Sequence, residues 1–131
     1  MSEKFLEIVK SQERRVLAID FDGVIHKNSK GFYDGTVYDL PIEGTLESIK
    51  KLSENFEIVI FSCKALPDRP LIKDKNGIEL INEWLEKHGI KRYIKEVTFE
   101  KPRAFLYIDD KGYRFSAWPD TLNFIERLVK Q

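Results

Sequence analysis

Three short apolar runs constrain this chain more than any other feature. Residues 16–19 (VLAI), 57–61 (EIVIF) and 104–108 (AFLYI) are rich in β-branched and aromatic residues and too short for buried helices. Near-continuous apolar runs of this length suit strands covered on both faces, as in a parallel sheet. Between them the spacing turns helical. Leu46, Ile49 and Leu52 predict an amphipathic helix over 43–55, and Ile78, Ile81, Trp84 and Leu85 predict another, stopped at Gly89. Pro119 opens a last helix with Leu122, Ile125 and Leu128 inward and Asp120 in its first turn. Phe5, Ile8 and Val9 predict a leading helix over 2–11, and weaker strands are expected at 93–99 and 113–115. The alternation predicts an α/β fold, a three-layer Rossmann-like sandwich with a mostly parallel sheet.

Each strong run stops at polar chemistry. The first meets Asp20 and Asp22 around Phe21, followed by Gly23; the second meets Ser62; the third meets Asp109 and Asp110. In such sheets ligands gather at the carboxyl ends of the strands. Two carboxylates about 4 Å apart repel by roughly 4 kcal/mol at an effective dielectric near 20. Folding gains nothing from that pair, so a cation or a reaction is expected there.

Bulk properties narrow the field. A length of 131 residues with 42% hydrophobic content predicts one packed domain, 1–131. Lys plus Arg and Asp plus Glu are equal at 22 each, which argues against a broad nucleic-acid-binding surface. Cys63 is the single cysteine, so no intramolecular disulfide can form. With no secretory signal and no run long enough for a membrane span, a cytoplasmic location is expected.

The motifs, in their order, resemble those of the haloacid dehalogenase superfamily of phosphotransferases. That family carries a strand ending in Asp-x-Asp-Gly-(Thr or Val), matched by Asp20-Phe21-Asp22-Gly23-Val24. A second strand ends in Ser or Thr, matched by Ser62; a lysine follows, matched best by Lys101, with Lys95 as the rival; a last strand ends in an acidic pair, matched by Asp109-Asp110. Tyr33-Asp34-Gly35-Thr36 imitates the tail of the first motif, but Phe32 stands at the nucleophile position, so a turn is expected.

The resemblance implies a Mg²⁺-dependent phosphomonoesterase. Asp20 would be the nucleophile, forming an aspartyl-phosphate, and Asp22 the general acid and base. Asp rather than Thr at the second position favours, on the same resemblance, a phosphatase or mutase over ATPase-type members. Magnesium would take the Asp20 carboxylate, the Asp22 carbonyl and Asp109, with Asp110 binding directly, through water, or only orienting its neighbours. Ser62, with the backbone of Cys63 and Lys64, would hold phosphate oxygens; Phe21 and Gly23 belong to the same phosphate-binding loop; Lys101 would supply positive charge.

The gaps after the first motif and between Lys101 and Asp109 are too short for the cap domains of larger members, so residues 24–40 are expected to form a small flap. An open site admits small phosphorylated molecules, a protein-borne phosphate or a nucleic-acid 3′ end, or calls for a second copy of the chain to close it. The last substrate would place the chain beside the phosphatase domain of polynucleotide kinases. Lys27, Lys30, Lys64, Arg69, Lys73 and Lys75 read either as solvated surface or as a rim for an anionic substrate. His26 and His88 are expected to stay out of catalysis, substrate contact being the alternative for His26. The competing class is a phospho-accepting receiver domain, a switch rather than an enzyme. It places its acidic pair on the first strand and a lone Asp later, the reverse of the order here.

Overall fold

The computed structural model describes residues 15–109 and 113–130. The expected leading helix and Asp110 lie outside the described residues. In chain order the elements are β1 (Val16–Asp20), α1 (Thr45–Leu52), β2 (Glu57–Phe61), α2 (Gly77–Lys87), β3 (Glu96–Thr98), β4 (Leu106–Asp109), β5 (Tyr113–Arg114) and α3 (Trp118–Lys130). Single 3₁₀ turns occupy Cys63–Ala65 and Lys91–Tyr93.

The five strands form one sheet in the order β3-β2-β1-β4-β5, every pair parallel. β1 is therefore central, and its register aligns Ile19 with Ile60 on one side and Ile108 on the other. That position explains its near-continuous apolar run: Leu17, Ala18 and Ile19 are fully buried. The chain steps outward from β1 to β2 and β3, then returns to the other side of β1 as β4. Such a reversal opens a crevice at the carboxyl ends of β1 and β4.

The helices share one face. β1–α1–β2 and β2–α2–β3 step in the same direction, and right-handed crossovers put both helices on the same side. α3 joins them there, its Trp118 Nε1 donating to Thr45 Oγ1 of α1 at 3.1 Å. One core results, in which Leu17, Ile19, Ile58, Ile60 and Ile108 meet Ile49, Ile81, Leu85 and Ile125. Ala18, Val59 and Phe61, on the alternate strand positions, are buried outside that cluster. The chain passes from β3 to β4 without a helix. Among the described residues the all-parallel sheet with its three helices is compatible with the expected Rossmann-like α/β fold, and residues 99–105 hold no crossover helix. No helix among them is long and apolar enough to cross a membrane.

Residues 24–44 hold turns and a short antiparallel stem. Lys27 N–H donates to Leu40 O and Ile42 N–H to Ile25 O, at 3.0 and 2.9 Å, which closes the flap at its base. The Asp34–Thr36 segment is a turn, with Asp34 Oδ1 accepting from the Thr36 N–H at 3.0 Å and Gly35 N–H donating to Phe32 O at 2.9 Å.

Candidate active site at the carboxyl edge of the sheet

β1 delivers Asp20 to the edge, and the chain then folds back at once. The Phe21 carbonyl accepts from the N–H groups of Ile25 and His26 at 3.0 and 2.9 Å, and Gly23 N–H donates to His26 O at 2.8 Å. This tight loop requires φ of +84° at Gly23, a left-handed value that side-chain-bearing residues adopt only at a cost. Phe21 points into the core, fully buried, so it anchors the loop rather than presenting a side chain to a ligand.

Asp109 ends β4, one residue beyond the Ile19–Ile108 pair, so its backbone lies beside that of Asp20. Both carboxyl-bearing residues line a pocket of about 160 Å³ together with Asp22, Gly23, Arg114 and Phe115. Asp109 is only 3% exposed and pairs with Lys101, whose Nζ lies 2.5 Å from Oδ2. The Lys101 ammonium also sits over the Phe61 and Tyr107 rings, 5.5 and 5.1 Å from their centroids. Lys95 bonds instead to Glu57 at 2.8 Å, at the amino end of β2 and so at the opposite edge of the sheet. Of the two candidate lysines, Lys101 is the one at the acidic edge.

Asp22 turns its side chain into a second cluster. Its Oδ1 accepts from His26 Nδ1 at 2.9 Å and from Lys64 Nζ at 3.1 Å, and its Oδ2 faces Ser62 Oγ at 3.5 Å. His26 is fully buried, stacked flat on Phe21 with 5.2 Å between centroids. Its Nε2 accepts the backbone N–H of Asp39 at 2.9 Å. An accepting Nε2 leaves the proton on Nδ1, so a neutral His26 donates to Asp22. Asp39 is held in turn by Trp84, whose Nε1 donates to its carbonyl at 2.8 Å.

Lys64 is buried to 3% exposure and gives its second bond to the Thr36 carbonyl at 3.1 Å. It starts from the 3₁₀ turn after β2, where Ser62 Oγ caps the Lys64 N–H at 3.1 Å. That turn lies against the first residue of α2: a Cβ on Gly77 would stand 1.6 Å from the Lys64 carbonyl oxygen.

The electrostatics of Asp22 follow from these partners. Burial alone pushes its carboxyl up, and is the largest single influence. The hydrogen bond from His26 and the charge and hydrogen bond of Lys64 together outweigh it and hold the group below the usual carboxylate range. In this arrangement Asp22 is ionised at neutral pH, able to accept a proton, whereas the expected general-acid role needs it protonated.

The two clusters correct the sequence reading in part. His26, expected to be idle, is the closest partner of Asp22. Lys64 is not solvated surface; it is a buried ion-pair partner of Asp22. Ser62 is present at the edge, but its hydroxyl already caps the turn and faces Asp22. The His88 pKa is lowered, by burial first and by the Lys87 charge second. Arg114 on β5 went unnoticed in the sequence, because a single Arg on a two-residue strand carries no pattern. An acid followed four residues later by His was the one signal for His26, and outside a helix that spacing has no fixed geometry.

Among the described residues no three His, Cys, Asp or Glu side chains group as a metal cage. The acidic residues that line the pocket, Asp20, Asp22 and Asp109, offer only oxygen donors. One of the carboxylates is almost wholly buried and aimed at the edge. That set fits magnesium, which takes one or two carboxylates and keeps several waters.

No family model, no curated protein and no solved structure matches the chain.

Proposed function

We propose that this chain is a Mg²⁺-dependent phosphohydrolase of the haloacid dehalogenase type, built without a cap domain. The observation that carries the reading is the placement of Asp20 and Asp109 on adjacent strand ends at the point where the sheet order reverses, with Lys101 on Asp109. Two acids and a lysine far apart in the chain have no folding reason to converge there. The exposed thiol of Cys63 agrees with a reducing, cytoplasmic setting.

In this reading an Asp20 carboxylate oxygen attacks phosphorus, a P–O bond to Asp20 forms, and the bond to the leaving oxygen breaks. The proton that the leaving oxygen needs must pass through Asp22, which the second cluster keeps ionised in the resting protein. For the first step Asp22 takes up a proton from solvent, against the hold of His26 and Lys64, and passes it to the leaving oxygen. Water then attacks the aspartyl-phosphate while Asp22 accepts its proton, and inorganic phosphate leaves. Asp20, Asp109 and the Asp22 carbonyl would hold magnesium, which would neutralise charge between the anionic nucleophile and the phosphate. Lys101 holds Asp109 in place and adds positive charge beside the nucleophile.

The test is turnover of a phosphomonoester panel with Mg²⁺ and with chelator. Repeated, chelator-sensitive release of phosphate supports an enzyme. Stoichiometric uptake of one phosphoryl group without release would make the chain a receiver-type switch instead.

A further inference from the structure

A second cavity, of about 270 Å³, lies between the flap and the loop at 66–76. Phe32 and Tyr33 form one wall; Arg69, Pro70, Ile72 and Leu80 form the other. Lys64 also lines it, and Lys64 bonds the same Asp22 that borders the Asp20–Asp109 pocket. The two spaces therefore lie on either side of one lysine–carboxylate pair.

We propose that this cavity receives the base of a nucleoside monophosphate, so that mononucleotides are the substrate class of the neighbouring carboxylate site. The proposal rests on the phosphohydrolase reading for the second half of that statement only. Phe32 is 44% exposed and Tyr33 63%, and Tyr33 is flanked by the Lys30 ammonium, 4.8 Å from its centroid, and by the Tyr38 ring. The Arg69 guanidinium lies 4.9 Å from the centroid of the Phe32 ring. At that spacing a flat base has no room between the two groups and would stack on the outer face of the pair.

The polar content fits the same ligand. Apart from the Tyr33 hydroxyl, the hydrogen-bonding side chains of the lining are Asp34, Lys64 and Arg69. A sugar phosphate, with a hydroxyl on nearly every carbon, would leave many groups unpaired against such walls. A flat base needs few partners. Asp34 keeps acceptor capacity toward a base amino group or a ribose hydroxyl, since the Thr36 N–H and hydroxyl occupy only its Oδ1. The cavity sits near the lower end of ligand-pocket sizes, which are about 300–1,000 Å³, and so suits one nucleoside rather than a strand.

Two independent measurements test this. In the first, kcat/KM for nucleoside monophosphates is compared with that for glycerol phosphate in the full chain and in Phe32→Leu and Arg69→Gln. The nucleotide preference should be tenfold or more, and each variant should shrink the ratio by about tenfold. A ratio near one, unchanged by both variants, would overturn the proposal, and so would a 3′-phosphorylated oligonucleotide outpacing every mononucleotide. In the second, unphosphorylated adenosine and guanosine are titrated into Asp20→Asn while NMR signals of Phe32 and Ile72 are followed. Saturable shifts support the cavity as a base site, and their absence overturns it. That arm needs no turnover: if no phosphomonoester is hydrolysed, the phosphohydrolase reading fails while the titration still decides the cavity.

Discussion

Replacing Gly77 by alanine tests whether the start of α2 holds the Ser62–Lys64 turn in place. The added Cβ would stand 1.6 Å from the Lys64 carbonyl oxygen and 2.9 Å from the Ala65 Cα. Both are backbone atoms, so no side-chain rotation relieves the overlap. Restoring even a tight 3.0 Å contact to the oxygen requires a shift of about 1.4 Å. If the 3₁₀ turn moves, Lys64 Nζ leaves its 3.1 Å bond to Asp22, and Ser62 moves with it. If α2 moves, its capping box between Asn76 and Glu79 and the Trp84 bond to the flap are disturbed. Overpacking costs about 1–3 kcal/mol, and part of a buried ion pair adds to it, so a loss of about 2–4 kcal/mol is expected. With a urea m-value of about 2 kcal/mol/M, the unfolding midpoint should fall by about 1–2 M. Phosphatase activity should drop with it, measured at low urea where the variant is still folded. A midpoint within about 0.2 M of the parent, with full activity, would refute the reasoning.

Three further outcomes follow from the same geometry. His26→Phe keeps the stack on Phe21 but removes both ring hydrogen bonds, so it should cost about 1–3 kcal/mol and raise the Asp22 pKa in an NMR titration of its carboxyl carbon; an unmoved Asp22 would count against the network. Because the folded value of Asp22 is depressed, its contribution is present above the unfolded value of about 3.9 and is lost as pH falls through the lower folded value. Lys64→Met should therefore lower the urea midpoint near pH 7 and flatten its decline toward about pH 3, and a decline as steep as the parent's would show that Lys64 does not stabilise the Asp22 anion. Lys95→Ala should leave activity intact and change stability by no more than about 1 kcal/mol, its pair with Glu57 being largely exposed, whereas Lys101→Ala should cut kcat; the reverse pattern would reassign the lysine.

The strands were legible because a parallel sheet writes itself into sequence as short apolar runs. The run at 57–61 coincides with β2, and the first strand is found at Val16–Asp20. Helix ends were less sharp: the expected 43–55 contracts to Thr45–Leu52. The acids at the strand ends were visible because each stops an apolar run. The partners of Asp22 were not, since Lys64 lies forty-two residues away and reads as one of several loop lysines. Its burial depends on Gly77 and Thr36, contacts set only once α2 and the flap have packed. The helix-free passage from β3 to β4 was hidden for a similar reason, because the 99–105 segment carries no periodicity either way.

The most direct test of the account is where phosphate attaches. The protein is mixed with a radiolabelled phosphomonoester and Mg²⁺, quenched in acid and digested. The account predicts transient label, cleaved by hydroxylamine, on the peptide that carries Asp20, and no label or turnover in Asp20→Asn. Label on another residue, or sustained phosphate release by Asp20→Asn, would contradict it.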